Sequence, residues 1–125
     1  MSYDIGLNDK NGERIFFDEP LELWGGIVAV DPKTGDLVGD KEAYLNVTYN
    51  YSQIFYLVFG SEGIHVLEGL LGMESIPILD KAIAALGNDP VDEDYWKATL
   101  GNARKALEDL RELAKLAPGG IWEIS

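Results

Sequence analysis

The sequence predicts an α+β fold: an N-terminal antiparallel β-meander with C-terminal helices packed on one of its faces. Two observations carry that expectation. Up to residue 50, apolar side chains come in short or alternating runs separated by turn residues, the pattern of half-buried strands. Beyond it they recur at spacings of three and four, the pattern of amphipathic helices. Length adds a bound, since 125 residues form one domain that buries most of its apolar surface without staples. Its expected division is mainly β over 1–50, mainly α over 51–117, and a tail or short strand over 118–125.

Tyr3, Ile5 and Leu7 alternate, and residues 8–12 follow as a turn closing on Asn11-Gly12. Ile15, Phe16 and Phe17 form a second short strand, stopped near Pro20. Leu21, Leu23 and Trp24 precede Gly25-Gly26, after which residues 27–30 are a short apolar strand. Residues 31–36 are a strong turn: Pro32 presets φ, Gly35 accepts a positive φ, and the aspartates bond nearby backbone. Leu37 and Val38 start the return, Gly39-Asp40 turns again, and a strand runs from about residue 43 to 50.

That strand alternates without using charge. Leu45, Val47, Tyr49 and Tyr51 fall on one side, and Asn46, Thr48, Asn50 and Ser52 on the other. In so charged a chain a merely solvated strand face would include Lys or Glu, so a row of amides and hydroxyls suggests a polar ligand.

The helical part begins with residues 53–59, ended by Gly60, and continues with 63–71. Ser75 is the expected N-cap of a helix over 76–86, with Pro77 in its first turn and Gly87 after its end. The last helix, about 97–116, is the clearest element: Ala103, Ala106, Leu107, Leu110, Leu113, Ala114 and Ala117 make one apolar stripe. Extended toward the N-terminus, the stripe meets Thr99 and Asn102, polar residues in the first turn of a core-facing surface. A helix N-terminus offers free N–H groups, and Gly101 lets another group approach the backbone closely.

Charge bounds function. The chain carries 10 basic and 22 acidic residues, a net charge of −12, and no Lys or Arg lies between Glu42 and Asp80. Such a surface repels phosphate backbones, so direct nucleic-acid binding is not expected, whereas a basic protein would be attracted. Cysteine is absent, which removes disulfides, thiol nucleophiles and thiolate metal sites. No secretory signal and no apolar run of spanning length is present, so a cytoplasmic protein without membrane association is expected. His65 has no Ser or Cys partner at a telling spacing. The acidic run Asp92-Glu93-Asp94 lacks the alternation and glycine of a calcium loop and reads as a solvated helix start. No catalytic residue, metal ligand or cofactor is indicated.

Where the strand face and the Thr99/Asn102 turn meet, the candidate site combines Asn46, Thr48, Asn50, Thr99 and Asn102, walled by Tyr49, Tyr51, Tyr95 and Trp96; the sequence leaves open whether they meet. It holds no general base or nucleophile and suits a neutral or anionic small molecule with a planar ring.

The series NVTYNYS (46–52), GMESIPILDKAIAALG (72–87), YWKATLGNARKALEDL (95–110) and PGGIW (118–122) resembles a set of small bacteriophage and prophage proteins without a settled function. The likeness spans about residues 43–122. It implies a phage-encoded accessory factor that counters host defence inside the host cell. Two mechanisms then compete. In the first, the protein is a non-enzymatic sponge that sequesters a nucleotide-derived immune signal, its pocket completed across a homo-oligomer interface where one forms. In the second, its acidic surface mimics nucleic acid and blocks a basic host defence protein.

Overall fold

The structure is a computed structural model that describes residues 1–19, 21, 28–30, 33–34, 37–39 and 41–125; for 28–30 and 37–39 it describes the backbone alone. The expected elements at Leu23, Trp24 and Gly25-Gly26, and most of the 31–36 and 39–40 turns, lie outside the described residues.

The molecule is α+β. In chain order its elements are β1 (Ser2–Asn8), β2 (Val28–Val30), β3 (Leu37–Gly39), β4 (Tyr44–Thr48), α1 (Ser52–Phe59), α2 (Gly72–Ala85), α3 (Leu100–Leu116) and β5 (Ile121–Ile124), with 3-10 turns at Tyr49–Tyr51 and Gly63–Leu67. β1 is central in a three-stranded antiparallel sheet of order β4-β1-β5, and β2 and β3 form a separate antiparallel pair. Asp9 shapes the turn after β1 by accepting, through Oδ1, the N–H groups of Asn11 at 2.8 Å and Glu13 at 3.1 Å. Ile15 and Phe17 then bond across to Leu7 and Lys41, so the second short strand is reduced to isolated bridges.

Alternation along β1 sends Tyr3, Ile5 and Leu7 inward, where they meet Leu45 and Val47 of β4 and Trp122 and Ile124 of β5. Against this surface lies the apolar stripe of α3, every expected member of which is buried. Leu79 and Ala82 of α2, Phe55 of α1 and Ile64 and Leu67 complete the core.

The opposite sheet surface is polar and self-satisfied. Arg14 lies flat over Gly6, where a Cβ would meet its Nη1 at 2.1 Å. From there it donates to Asn8 Oδ1 at 2.8 Å, Glu42 at 3.1 Å and Glu123 at 3.3 Å.

Two helix starts differ from expectation. α2 begins at Gly72, not after Ser75, because the Glu74 carboxylate accepts the Leu71 N–H at 2.9 Å. Ser75 is instead fully buried inside the helix, donating to the Gly72 carbonyl at 2.7 Å and accepting Trp122 Nε1 at 2.8 Å. Pro77 is accordingly interior to the helix. α3 begins at Leu100, with Thr99 as its N-cap, three residues later than the periodicity suggested.

Candidate functional site

The loop between α2 and α3, residues 86–99, is where most of the expected site residues converge, and the reason is local hydrogen bonding. Asn102 is fully buried. Its Nδ2 donates to the carbonyls of Asp94 and Lys97, both at 2.9 Å, and its Oδ1 accepts the Asp92 N–H at 2.8 Å. Thr99 Oγ1 accepts the Asn102 N–H at 3.0 Å, so cap and clamp are built from adjacent turns. The group that Gly101 admits is the chain itself: a Cβ there would stand 2.2 Å from the Pro90 carbonyl oxygen.

Tyr95 joins this loop to the sheet. Its hydroxyl accepts the Thr48 N–H at 3.1 Å and donates to the Asn46 carbonyl at 2.9 Å, occupying the open edge of β4 as a further strand would. The Tyr95 carbonyl accepts the hydroxyl of Tyr51. Asn50 Nδ2 donates to the Trp96 carbonyl at 2.7 Å. Burial pushes the Tyr51 phenol far above the usual tyrosine range, with the neighbouring Tyr95 adding to it. Burial likewise raises Tyr95, partly offset by its hydrogen bond from the Thr48 backbone.

The strand alternation does not persist to Tyr51. It ends at Thr48, whose Oγ1 accepts the Asn50 N–H at 3.2 Å and caps a 3-10 turn. The turn, not the strand, then places Tyr51 in the core, Asn50 on the loop and Tyr49 edge-on to Tyr3 at 4.5 Å. Thr48 is buried rather than presented on a ligand-facing row. Asn46 faces the far side of the sheet, donating to Ser2 Oγ at 2.7 Å and Asp4 Oδ1 at 3.2 Å. The structure thus brings Thr48, Asn50, Tyr51, Tyr95, Trp96, Thr99 and Asn102 together around one loop, and leaves the side chains of Asn46 and Tyr49 elsewhere.

What this loop presents outward is Trp96, 59% exposed, with its ring edge-on to Tyr95 at 5.1 Å. Around it in sequence are the exposed Asp89, Glu93 and Asp94 and the exposed apolar Val91 and Leu100. Two carboxylates have a role that sequence reading missed. Asp92 Oδ1 accepts the Asp94 N–H at 2.9 Å, and Asp94 Oδ1 accepts the Trp96 N–H at 3.1 Å. This Asp-x-Asp-x-Trp spacing is a pair of Asx turns, legible in principle from the residue types. The backbone N–H of Asp94, together with Lys97 at 3.4 Å, holds Asp92 below the usual carboxylate range.

Among the described residues no group of three or more His, Asp or Glu side chains could hold a metal. No described helix is long and apolar enough to cross a membrane. His65 is exposed, its Nδ1 3.9 Å from Glu68. Compared with known proteins, the chain matches no family model, no curated protein and no solved structure.

Proposed function

We propose that the chain is a binding protein whose acidic loop before α3 docks on a basic protein surface, with Trp96 as the anchor. One observation carries this reading: an indole 59% exposed on a loop whose backbone is fixed from behind by Asn102, Tyr51 and Asn50. A large apolar side chain left in water on a backbone already fixed has the backbone share of its ordering cost met, which is the character of an interface anchor. The surrounding carboxylates and the net charge of −12 select the sign of the partner. Together with the resemblance to small phage proteins, this supports an inhibitor of a basic host defence protein, acting in the host cytoplasm.

The test is affinity capture from host lysate by the wild-type chain, Trp96→Ala and Glu93→Lys. Neither Trp96 nor Glu93 has a side-chain hydrogen bond to a described residue, so both variants should fold. A basic protein retained by the wild type, released by salt and lost in both variants is the expected result. Equal capture by all three would remove the proposal.

Sequestration of a nucleotide-like molecule is a second reading, favoured by the exposed Trp96 ring standing edge-on to Tyr95 at 5.1 Å. Against it, the polar groups of Thr48, Thr99 and Asn102 are engaged within the chain. Native mass spectrometry separates the two: a stoichiometric small molecule on the purified wild type, absent from Trp96→Ala, favours the sponge.

A further inference from the structure

Arg14 shows, inside the chain, the surroundings a guanidinium takes. Its Cζ lies 5.7 Å from the centre of the Tyr44 ring, while its N–H groups donate to Glu42 at 3.1 Å and Glu123 at 3.3 Å. The aromatic face attracts the cation, and carboxylates at its rim accept the in-plane hydrogens. The turn at 94–97 presents the same two components, ring and carboxylate, to the outside. The Lys97 N–H closes it on the Asp94 carbonyl at 3.1 Å. Both backbone groups of Trp96 are tied, its N–H to Asp94 Oδ1 at 3.1 Å and its carbonyl to Asn50 at 2.7 Å. The indole is exposed, and Tyr95 meets it at 79°, so the two rings are not stacked face to face. Among the described residues no cation lies over the indole; Lys97, the cation of the turn, pairs with Asp92 at 3.4 Å. The carboxylates divide in the same way. Asp92 serves Lys97 and the Asp94 N–H, whereas Glu93 and Asp94 Oδ2 have no hydrogen-bond partner among the described residues.

Resting on the reading of this loop as a docking surface, we infer that the group it receives is an arginine side chain of the partner protein, its guanidinium stacked on the Trp96 indole and donating to Glu93 and to Asp94 Oδ2. The alternatives fit less well. An apolar partner side chain would strip water from Glu93 and Asp94 and return no hydrogen bond. A lysine ammonium answers the charge, but it is compact and strongly hydrated, with no plane to lay on the ring. A guanidinium is planar and weakly hydrated, so it covers the indole with its face and bonds carboxylates with its edge. Arg14 does both against Tyr44, Glu42 and Glu123. The turn thus selects arginine over lysine, a finer choice than the attraction of net −12 for any cation.

Calorimetric titration of the full chain with arginine and lysine homopeptides of equal length, at physiological salt, tests it. The two probes carry the same charge, so general attraction to an acidic surface cancels in the comparison. Wild type should bind the arginine peptide about 10-fold more tightly, the size of one cation–π contact with its carboxylate bonds. Trp96→Leu keeps every charge; it should cut that preference to about 2-fold or less and leave the affinity for lysine as it was. Glu93→Gln should weaken the arginine peptide by about 3-fold or more. Both side chains are exposed, and an unchanged circular dichroism spectrum would confirm the fold. Equal affinity of wild type for the two peptides would overturn the inference, as would an arginine preference that survives Trp96→Leu. Capture from lysate separates this inference from the reading it rests on. A basic protein still held through Trp96, without any arginine preference, leaves the docking loop standing and removes the arginine; loss of both results removes both.

Discussion

Asn102 shows how a buried side chain can govern an exposed surface. It satisfies one N–H and two carbonyls of the loop that presents Trp96, and it is itself fully buried. Asn102→Ala should lower stability by about 2–4 kcal/mol, because three backbone groups lose their partner at once. Urea denaturation measures the loss, and faster amide exchange at Asp92 would localise it. Trp96→Ala should stay within about 0.5 kcal/mol of wild type, since an exposed side chain contributes little to folding. Loss of binding in Asn102→Ala would thus report a displaced loop, whereas loss in Trp96→Ala would report a contact. Tyr51 and Tyr95 make a second statement at this scale. The unfolded chain ionises them near the ordinary tyrosine value of 10.0, and the folded chain holds their protons to higher pH. Their contribution is therefore complete below the unfolded value and is lost as pH rises through the raised folded values. Melting temperature should fall above about pH 10 in step with phenolate absorbance, and Tyr51→Phe should make the fall shallower.

At the scale of elements, Gly101 gives the sharpest prediction because two effects of opposite sign meet there. In an open helix Gly→Ala stabilises by about 1 kcal/mol. At Gly101 the added Cβ would lie 2.2 Å from the Pro90 oxygen, 2.8 Å from its carbonyl carbon and 2.9 Å from the Asp89 oxygen. These are backbone atoms, so the loop must shift, and Gly101→Ala should destabilise by about 1–3 kcal/mol. Gly119→Ala, with nothing within 4 Å, should be close to neutral; thermal melts of the pair decide the matter. The same positions show what sequence could reveal. The α3 stripe was legible because burial and period 3.6 coincide from Ala103 to Ala117. Its start was not, because the residues ahead of Thr99 are held by Asx turns and the Asn102 clamp, which periodicity does not register. Ser75 has the right chemistry for a cap at the wrong place: the Glu74 carboxylate reaches the helix start first, and Ser75 serves Trp122. The row through Asn46, Thr48 and Asn50 failed as one surface because Thr48 caps a 3-10 turn and ends the alternation. Neither the convergence of residues around Tyr95 nor the saturation of the converging groups was legible, since both depend on contacts 44 to 49 residues apart.

Across the whole molecule, the sheet is closed by the last strand pairing with the first, and charge is distributed unevenly over that frame. Class follows from composition and period, but the β4-β1-β5 order is set by pairing between chain ends, on which local pattern is silent. The excess of 22 acidic over 10 basic residues acts on the entire fold. Several bases are held in local pairs: Arg104 with Glu108 at 3.2 Å, Lys105 with Asp109 at 2.6 Å, Arg111 with Asp80 at 2.8 Å, and Arg14 with Glu42 at 3.1 Å. Such pairs near the surface contribute roughly 0–1 kcal/mol each, and salt weakens them. The carboxylates left over repel one another, and salt weakens that too. With more than two acids for every base, repulsion is the larger of the two terms, so added sodium chloride should raise the melting temperature. The measurement belongs at low micromolar protein concentration, where association between molecules cannot supply the gain. A melting temperature that falls from about 10 to about 300 mM salt would show the reverse balance, with the Arg14 cluster and the α3 pairs outweighing the net charge.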